Sequence, residues 1–295
     1  MNKNQNMYEK IKIGSYQGPI VNNDFDANLD KVKKIIEQTS GDRLDFLCFP
    51  ETYLSGYTPE AIKESAVSLN DVRLQEFILW TKQFDTVFLV GMSEKTDKGI
   101  FNSQLVLYKG KVLGIQHKTM LTQGYDSRYF ITDLDLPVFE AKGIKFGVCI
   151  CHTTSFVEPA QCLRMKGARL LFTPHYNDIP PQEKLPNGEE STYADHRQMV
   201  LANQAAIATL LKMVVVRSNI VSISESGLGS GDSNMWDMNG NCVAEGKPFT
   251  ECVVEHEFSK DIFLKEHYIS RKEVPVELFK QIYEASVKFK EEGMV

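Results

Sequence analysis

The stretch Ile144 to Glu158, I-K-F-G-V-C-I-C-H-T-T-S-F-V-E, constrains this chain more than any other. It opens as an apolar run, Phe146 to Ile150, breaks at Cys151, and continues with polar residues and a helix-like pattern. An apolar run that short, ended by a break, reads as a buried strand. The break sets Cys151 at the strand's carboxyl end, where open α/β sheets gather their chemistry. A thiol there is either a packed core residue or a nucleophile. Cys149 and Cys151 lie two apart, so on a continuous strand they share one face.

The rest of the chain alternates in the same style. Ile11–Tyr16, Leu44–Phe49, Thr86–Val90, Arg169–Thr173 and Met213–Arg217 read as strands. Asn28–Gln38, Asn70–Gln83, Val157–Lys166, Tyr193–Lys212 and Val276–Lys290 carry apolar residues at helical spacing. Phe101–Lys118 reads as a hairpin turning at Lys109-Gly110-Lys111, and Leu121–Phe130 as loop. Val221–Ser224 reads as a further strand; Asp232–Met238 and Cys242–Ala244 flank the hairpin signal Asn239-Gly240. Asn177–Glu190, rich in Pro, Gly, Asn and charge, reads as a long loop, either a lid or a surface insertion. The class is therefore α/β.

Several functions are disfavoured. A formal net charge of -6 gives no electrostatic footprint for nucleic acid. No apolar stretch reaches the roughly 18–20 residues that cross a bilayer, and Met1–Lys10 lacks the apolar core of a secretion signal. A cytoplasmic location without membrane partners follows as the expectation. The six cysteines are too sparse for a disulfide scaffold. His152, His175 and His196 with Asp178 and Asp195 match no metal-ligand spacing, so no metal is expected. Gly227–Gly231 lacks the Lys-Ser/Thr of a phosphate loop and reads as a turn.

Three strand ends stand out: F-P-E with Glu51, Q-H-K with Lys118, and C-I-C with Cys151. Each alone has a bland reading, as a cap, a solvated strand end and a core thiol. Together they make a nucleophilic site. A thiol with a reference pKa of about 8.5 needs a base, which a carboxylate supplies. An ammonium stabilises the thiolate and then an oxyanion.

These stretches resemble the carbon–nitrogen hydrolase (nitrilase) superfamily, whose members use a Glu-Lys-Cys triad. F-P-E, H-K-x-x-L and G-V-x-I-C occur here in family order, and Glu158 matches the glutamate that closes the cysteine motif. G-S-G-D-S-N-M-W-D-M-N-G-N-C-V-A-E resembles the family's late hairpin. The resemblance runs from about Ile11 to about Ala244. It implies a four-layer α-β-β-α sandwich and a single hydrolase domain over residues 1–295, with residues 259–295 as a C-terminal extension ending in a helix. It implies Cys151 as nucleophile, Glu51 as general base, and Lys118 with the His152 N–H as oxyanion donors. Asp126, in Y-D-S-R-Y-F, takes the place of the family's second glutamate. His152, His175, Tyr57 and Tyr125 are pocket-wall and substrate-binding candidates; Tyr53 and Tyr129 either wall the pocket or simply pack.

The implied activity is hydrolysis of a non-peptide C–N bond in a small amide, with ammonia or an amine released and no cofactor. N-carbamoyl-amine hydrolase and nitrilase are alternatives with the same triad; a non-catalytic binding or assembly paralogue is the alternative of another class. His152, Thr153 and Val157 depart from the family's usual cysteine motif, and A-I-A-T-L-L at Ala206–Leu211 departs from its usual long-helix sequence. Ser259–Val295 is too short for a synthetase domain, so released rather than channelled ammonia is expected. A homodimer or larger even homo-oligomer is expected from the resemblance.

Overall fold

Strands apolar on both faces need cover on both sides, and the chain supplies it with two sheets packed face to face and a helix layer outside each. The computed structural model describes residues 9–177, 182–184, 190–223, 227–267 and 276–291. In chain order come β1 (Lys10–Gln17), α1 (Phe25–Thr39), β2 (Phe46–Cys48), α2 (Pro59–Glu64), α3 (Val72–Trp80), β3 (Val87–Lys95), β4 (Ile100–Tyr108), β5 (Lys111–His117) and the single turn α4 (Asp126–Tyr129). Next come β6 (Phe139–Ala141), β7 (Ile144–Val148), α5 (Val157–Met165), β8 (Leu170–Pro174), β9 (Gln182–Lys184), β10 (Glu190–Thr192), α6 (Tyr193–Leu211) and β11 (Val214–Ser218). The described chain closes with β12 (Val221–Ile223), β13 (Leu228–Ser230), β14 (Asn234–Trp236), β15 (Cys242–Glu245), β16 (Cys252–Ser259), α7 (Asp261–Leu264) and α8 (Val276–Glu291).

The first six-stranded sheet has the order β16-β1-β2-β3-β4-β5 and the second β15-β14-β11-β8-β7-β6. Their central strands run parallel, β1-β2-β3 in one and β7-β8-β11 in the other, with antiparallel edges. Ile13, Phe46 and Leu89 meet Phe146, Phe172 and Val214 between the sheets. The rings of Phe46 and Phe146 lie 5.3 Å apart, edge on. Outside the first sheet, α1 and α3 bury Leu29, Val32, Ile36 and Phe77. Outside the second, α5 and α6 bury Leu163, Ile207 and Leu211. The four-layer α-β-β-α sandwich is thus the observed architecture. Caps fix the helix starts: the Asp24 side chain accepts from the Ala27 N–H, and Thr192 and Asp195 form a capping box on α6.

Several local expectations change. Leu121–Phe130 is not all loop, because it contains the turn α4. Asn177–Glu190 is not free of secondary structure: β9 pairs with β10, although residues 178–181 and 185–189 lie outside the described residues. The Asp232–Met238 strand shortens to β14. The sequence reading also missed β16, which pairs with β1 over eight residues, Lys10↔Ser259 to Gln17↔Cys252. Cys149 and Cys151 do not share a face. The strand ends at Val148, and Cys151 has a left-handed φ of 47°. Cys149 therefore packs on the α5/α6 side, while Cys151 sits against the inter-sheet core.

One glycine lets the sheet approach the turn that follows β2. A Cβ on Gly91 of β3 would lie 2.4 Å from the Thr52 nitrogen and 2.6 Å from the Pro50 oxygen, both backbone atoms. Gly91→Ala should therefore cost on the order of 1–3 kcal/mol through overpacking. A thermal melt within a degree of wild type would show that the turn does not lean on β3.

Candidate active site

The turn after β2 lifts Glu51 out of the sheet and into a closed set of hydrogen bonds. Its Oε1 accepts from Asn102 Nδ2 at 2.7 Å and from Lys118 Nζ at 2.8 Å. Its Oε2 accepts from the Tyr176 backbone N–H at 2.8 Å. The turn itself is tied across the sandwich, because the Glu51 N–H donates to the His175 carbonyl at 3.3 Å.

Lys118 follows β5 directly, and its N–H donates to the Asn102 carbonyl at 2.8 Å. Its ammonium lies 2.8 Å from Glu51 Oε1, 2.6 Å from Asp126 Oδ2 and 3.3 Å from the Tyr57 hydroxyl. Three ammonium protons thus meet three acceptors in a buried site. Asp126, the first residue of α4, also accepts from the Tyr57 hydroxyl and, at 3.0 Å, from the Thr122 N–H. One helical turn brings this shorter acid within reach of Lys118.

Cys151 opens a 3-10 turn, Cys151–Ser155, that begins where β7 has ended. Thr154 Oγ1 donates to the Cys151 carbonyl at 2.8 Å and ties this turn down. The thiol points toward Asn177 Oδ1 at 4.0 Å and feels the charges of Glu51, Lys118 and Asp126. The structure therefore brings Glu51, Lys118, Asp126 and Cys151, 100 positions apart at the extremes, into one cluster.

The electrostatics of the cluster are asymmetric. Burial raises the pKa of Glu51 above the usual carboxylate range, against the pull of Lys118. Burial works the same way on Asp126, but the Lys118 ammonium and the Tyr57 hydroxyl win, and its pKa is lowered. Burial opposes charge on Lys118, yet Glu51, Cys151 and Asp126 together hold it well above the ordinary lysine value. Burial and the neighbouring Glu51 push the Cys151 thiol up to about 12. Two carboxylates with opposite displacements are the pattern that separates a proton carrier from a fixed countercharge.

A cavity of about 710 Å³ opens over Cys151. Tyr57 is stacked between Tyr125 and Tyr176, with ring centroids at 5.5 and 4.7 Å. His152 and His175 both line the cavity, and burial holds both rings below the ordinary histidine pKa, so they are neutral at pH 7. His175 Nδ1 donates to the Thr173 carbonyl at 2.8 Å, which leaves Nε2 toward Thr154 at 3.4 Å. Tyr53 is not a wall: it is fully buried, with its hydroxyl on the Pro19 carbonyl at 2.6 Å. Tyr129 packs edge-on against Tyr125. Sequence reasoning missed Asn102, Tyr176 and Asn177, whose Oδ1 lies 4.0 Å from the thiol sulfur and whose Nδ2 lies 3.1 Å from His196 Nε2. Their one available signal was position, at or beside a strand facing Glu51 or Cys151.

The carbon–nitrogen hydrolase family model matches residues 12–262, and the chain belongs to that family. It is 26% identical over 249 residues to a glutamine-dependent NAD(+) synthetase of Thermotoga maritima, covering 81% of this chain and 40% of the synthetase. It is 24% identical to an N-carbamoylputrescine amidase of Arabidopsis thaliana, over 81% of this chain and 83% of that protein. The fold is similar to Saccharomyces cerevisiae Nit3, a member of branch 10 of the nitrilase superfamily, with a TM-score of 0.73, 19% identity and 87% and 92% of the two chains covered. Among the first curated relatives the chain spans only part of the partner's length, 40% to 61%. No described helix is long and apolar enough to cross a membrane.

Proposed function

We propose that the chain hydrolyses a non-peptide C–N bond of a small amide through a thioester on Cys151. The observation that carries this reading is one cavity-lining thiol within the field of the buried, mutually bonded Glu51 carboxylate and Lys118 ammonium. Glu51, with its raised pKa, takes the thiol proton as sulfur attacks the carbonyl carbon. Lys118 and the His152 N–H stabilise the oxyanion. The C–N bond breaks, Glu51 returns its proton to the leaving nitrogen, and ammonia or an amine departs. Water then attacks the thioester, Glu51 takes one of its protons and passes it to the sulfur, and the acid is released. Asp126 stays ionised and balances Lys118 throughout.

The test is ammonia release from a panel of small amides, carbamoyl amines and nitriles. Ammonia from at least one amide is expected, and none from the same protein with Cys151 alkylated. A carbamoyl amine as best substrate, with carbon dioxide formed alongside ammonia, would favour the second reading, which the Arabidopsis thaliana relative supports. Silence across the panel from folded protein would sink both.

A further inference from the structure

His117, immediately before Lys118, is held between two carboxylates that the reaction does not use. Its Nε2 lies 3.0 Å from Glu94 Oε2 and its Nδ1 lies 3.2 Å from Asp133 Oδ2. A neutral imidazole carries one N–H, so it would turn a lone pair toward one of these carboxylates. Only the imidazolium donates to both. The ring stacks on Phe101 of β4 at a centroid distance of 4.1 Å, and Ser103 Oγ of the same strand donates to Glu94 at 2.7 Å.

Asn102 lies between Phe101 and Ser103 on β4, so its side chain points to the opposite face. There it donates to Glu51, while its carbonyl receives the Lys118 N–H. On the other side, Thr132, next to Asp133, donates to the carbonyls of Lys118 at 3.3 Å and Thr119 at 2.8 Å. The imidazolium thus pins three pieces of backbone: β3 through Glu94, β4 through Phe101, and residues 130–138 through Asp133. Two of them hold the groups that aim Lys118 and Glu51.

We propose that Glu94, His117 and Asp133 form a proton-dependent clamp that positions Lys118 and Asn102 against Glu51, so that loss of the His117 proton sets the alkaline limit of turnover. This rests on the hydrolase reading above. The groups facing the ring are Glu94, which is buried, and Asp133, which is about half-exposed and has Lys98 near it. Lys118 projects from the strand's other face.

The sign follows from the two partners. Burial works to lower the His117 pKa, but Glu94 and Asp133 win and it is raised above 6.5. The pKa values of Glu94 and Asp133 are lowered. The clamp is therefore complete from the carboxylate range up to the raised histidine pKa, and it opens as pH rises through that value. Asp133 is exposed enough for water to weaken its share, so Glu94 contributes more.

The experiment compares wild type with His117→Arg, which keeps a cation at every pH, and with Asp133→Asn, which removes the exposed arm. NMR of the His117 ring in the intact protein should show a midpoint above 6.5, moved to lower pH in Asp133→Asn. The wild-type kcat should fall roughly ten-fold across that midpoint with KM nearly unchanged, because slight misplacement of a reacting group is costly. In Asp133→Asn the fall should move with the ring, and in His117→Arg it should vanish. The ratio of wild-type to His117→Arg rates of Cys151 alkylation by iodoacetamide should fall across the same window, a readout that needs no amide. No turnover of any amide would remove the hydrolase reading and leave this ratio to decide the clamp. A ratio flat with pH, or a kcat limb unmoved in Asp133→Asn, would overturn the proposal.

Discussion

Cys151→Ala is expected to fold and to lose turnover by at least about 10⁴-fold, since removing the nucleophile of a catalytic unit costs nearly as much as removing the whole unit. The fold should survive for a local reason. Cys151 is partly exposed and has a φ of 47°, where any side chain with a Cβ meets the same backbone strain. Alanine keeps that strain and loses only the sulfur's contacts. Two readouts are needed, kcat on the best amide of the panel and the mass of the protein trapped during turnover. Wild type should gain the mass of an acyl group on the Cys151 peptide, and the variant should not. Cys149 serves as the internal control, because it is buried against α5 and α6 and touches none of the cluster. Turnover within ten-fold of wild type in Cys151→Ala would end the thiol mechanism.

The same comparison of the two cysteines shows what a sequence can reveal. Their spacing alone placed them on one face. The structure separates them because the chain leaves β7 before Cys149 and turns through a left-handed residue, which period-two reasoning does not register. Glu51, Lys118 and Cys151 were legible for the opposite reason. Each is a reactive side chain at or just beyond a strand end, and that placement is local.

Asn102 and Tyr176 were not legible. Asn102 reaches Glu51 only through the register of β4 on β3, and Tyr176 uses a backbone N–H that any residue but proline could offer. β16 was missed because charged residues interrupt its apolar ones: as an edge strand it buries Val254 and Phe258 and leaves Glu257 exposed. The clamp on His117 was equally hidden, since Glu94, His117 and Asp133 come from three separate segments and meet only once the sheet is paired.

Lys118→Ala carries the second large effect, and it divides between chemistry and folding. Loss of a positioned oxyanion donor is worth about 10²- to 10³-fold in kcat. The same change also leaves Glu51 and Asp126, both fully buried, without the cation they share. Removing one partner from a buried ion cluster costs about 3–5 kcal/mol. That cost should depend on pH in a definite direction. In wild type the Asp126 pKa is lowered by Lys118, so its contribution is present above the ordinary aspartate range and fades as pH falls. Without Lys118, burial dominates both carboxyls and raises their pKa values. The variant then loses stability with each carboxyl that must ionise, so its melting temperature should lie furthest below wild type near pH 8. The deficit should shrink toward pH 5. Glu51→Gln in the Lys118→Ala background removes one of the two unpaired charges and should recover part of the stability while recovering no activity. A melting deficit that stayed constant from pH 5 to 8 would mean that Lys118 does not neutralise these carboxylates. A change confined to KM would mean that it does not meet the oxyanion.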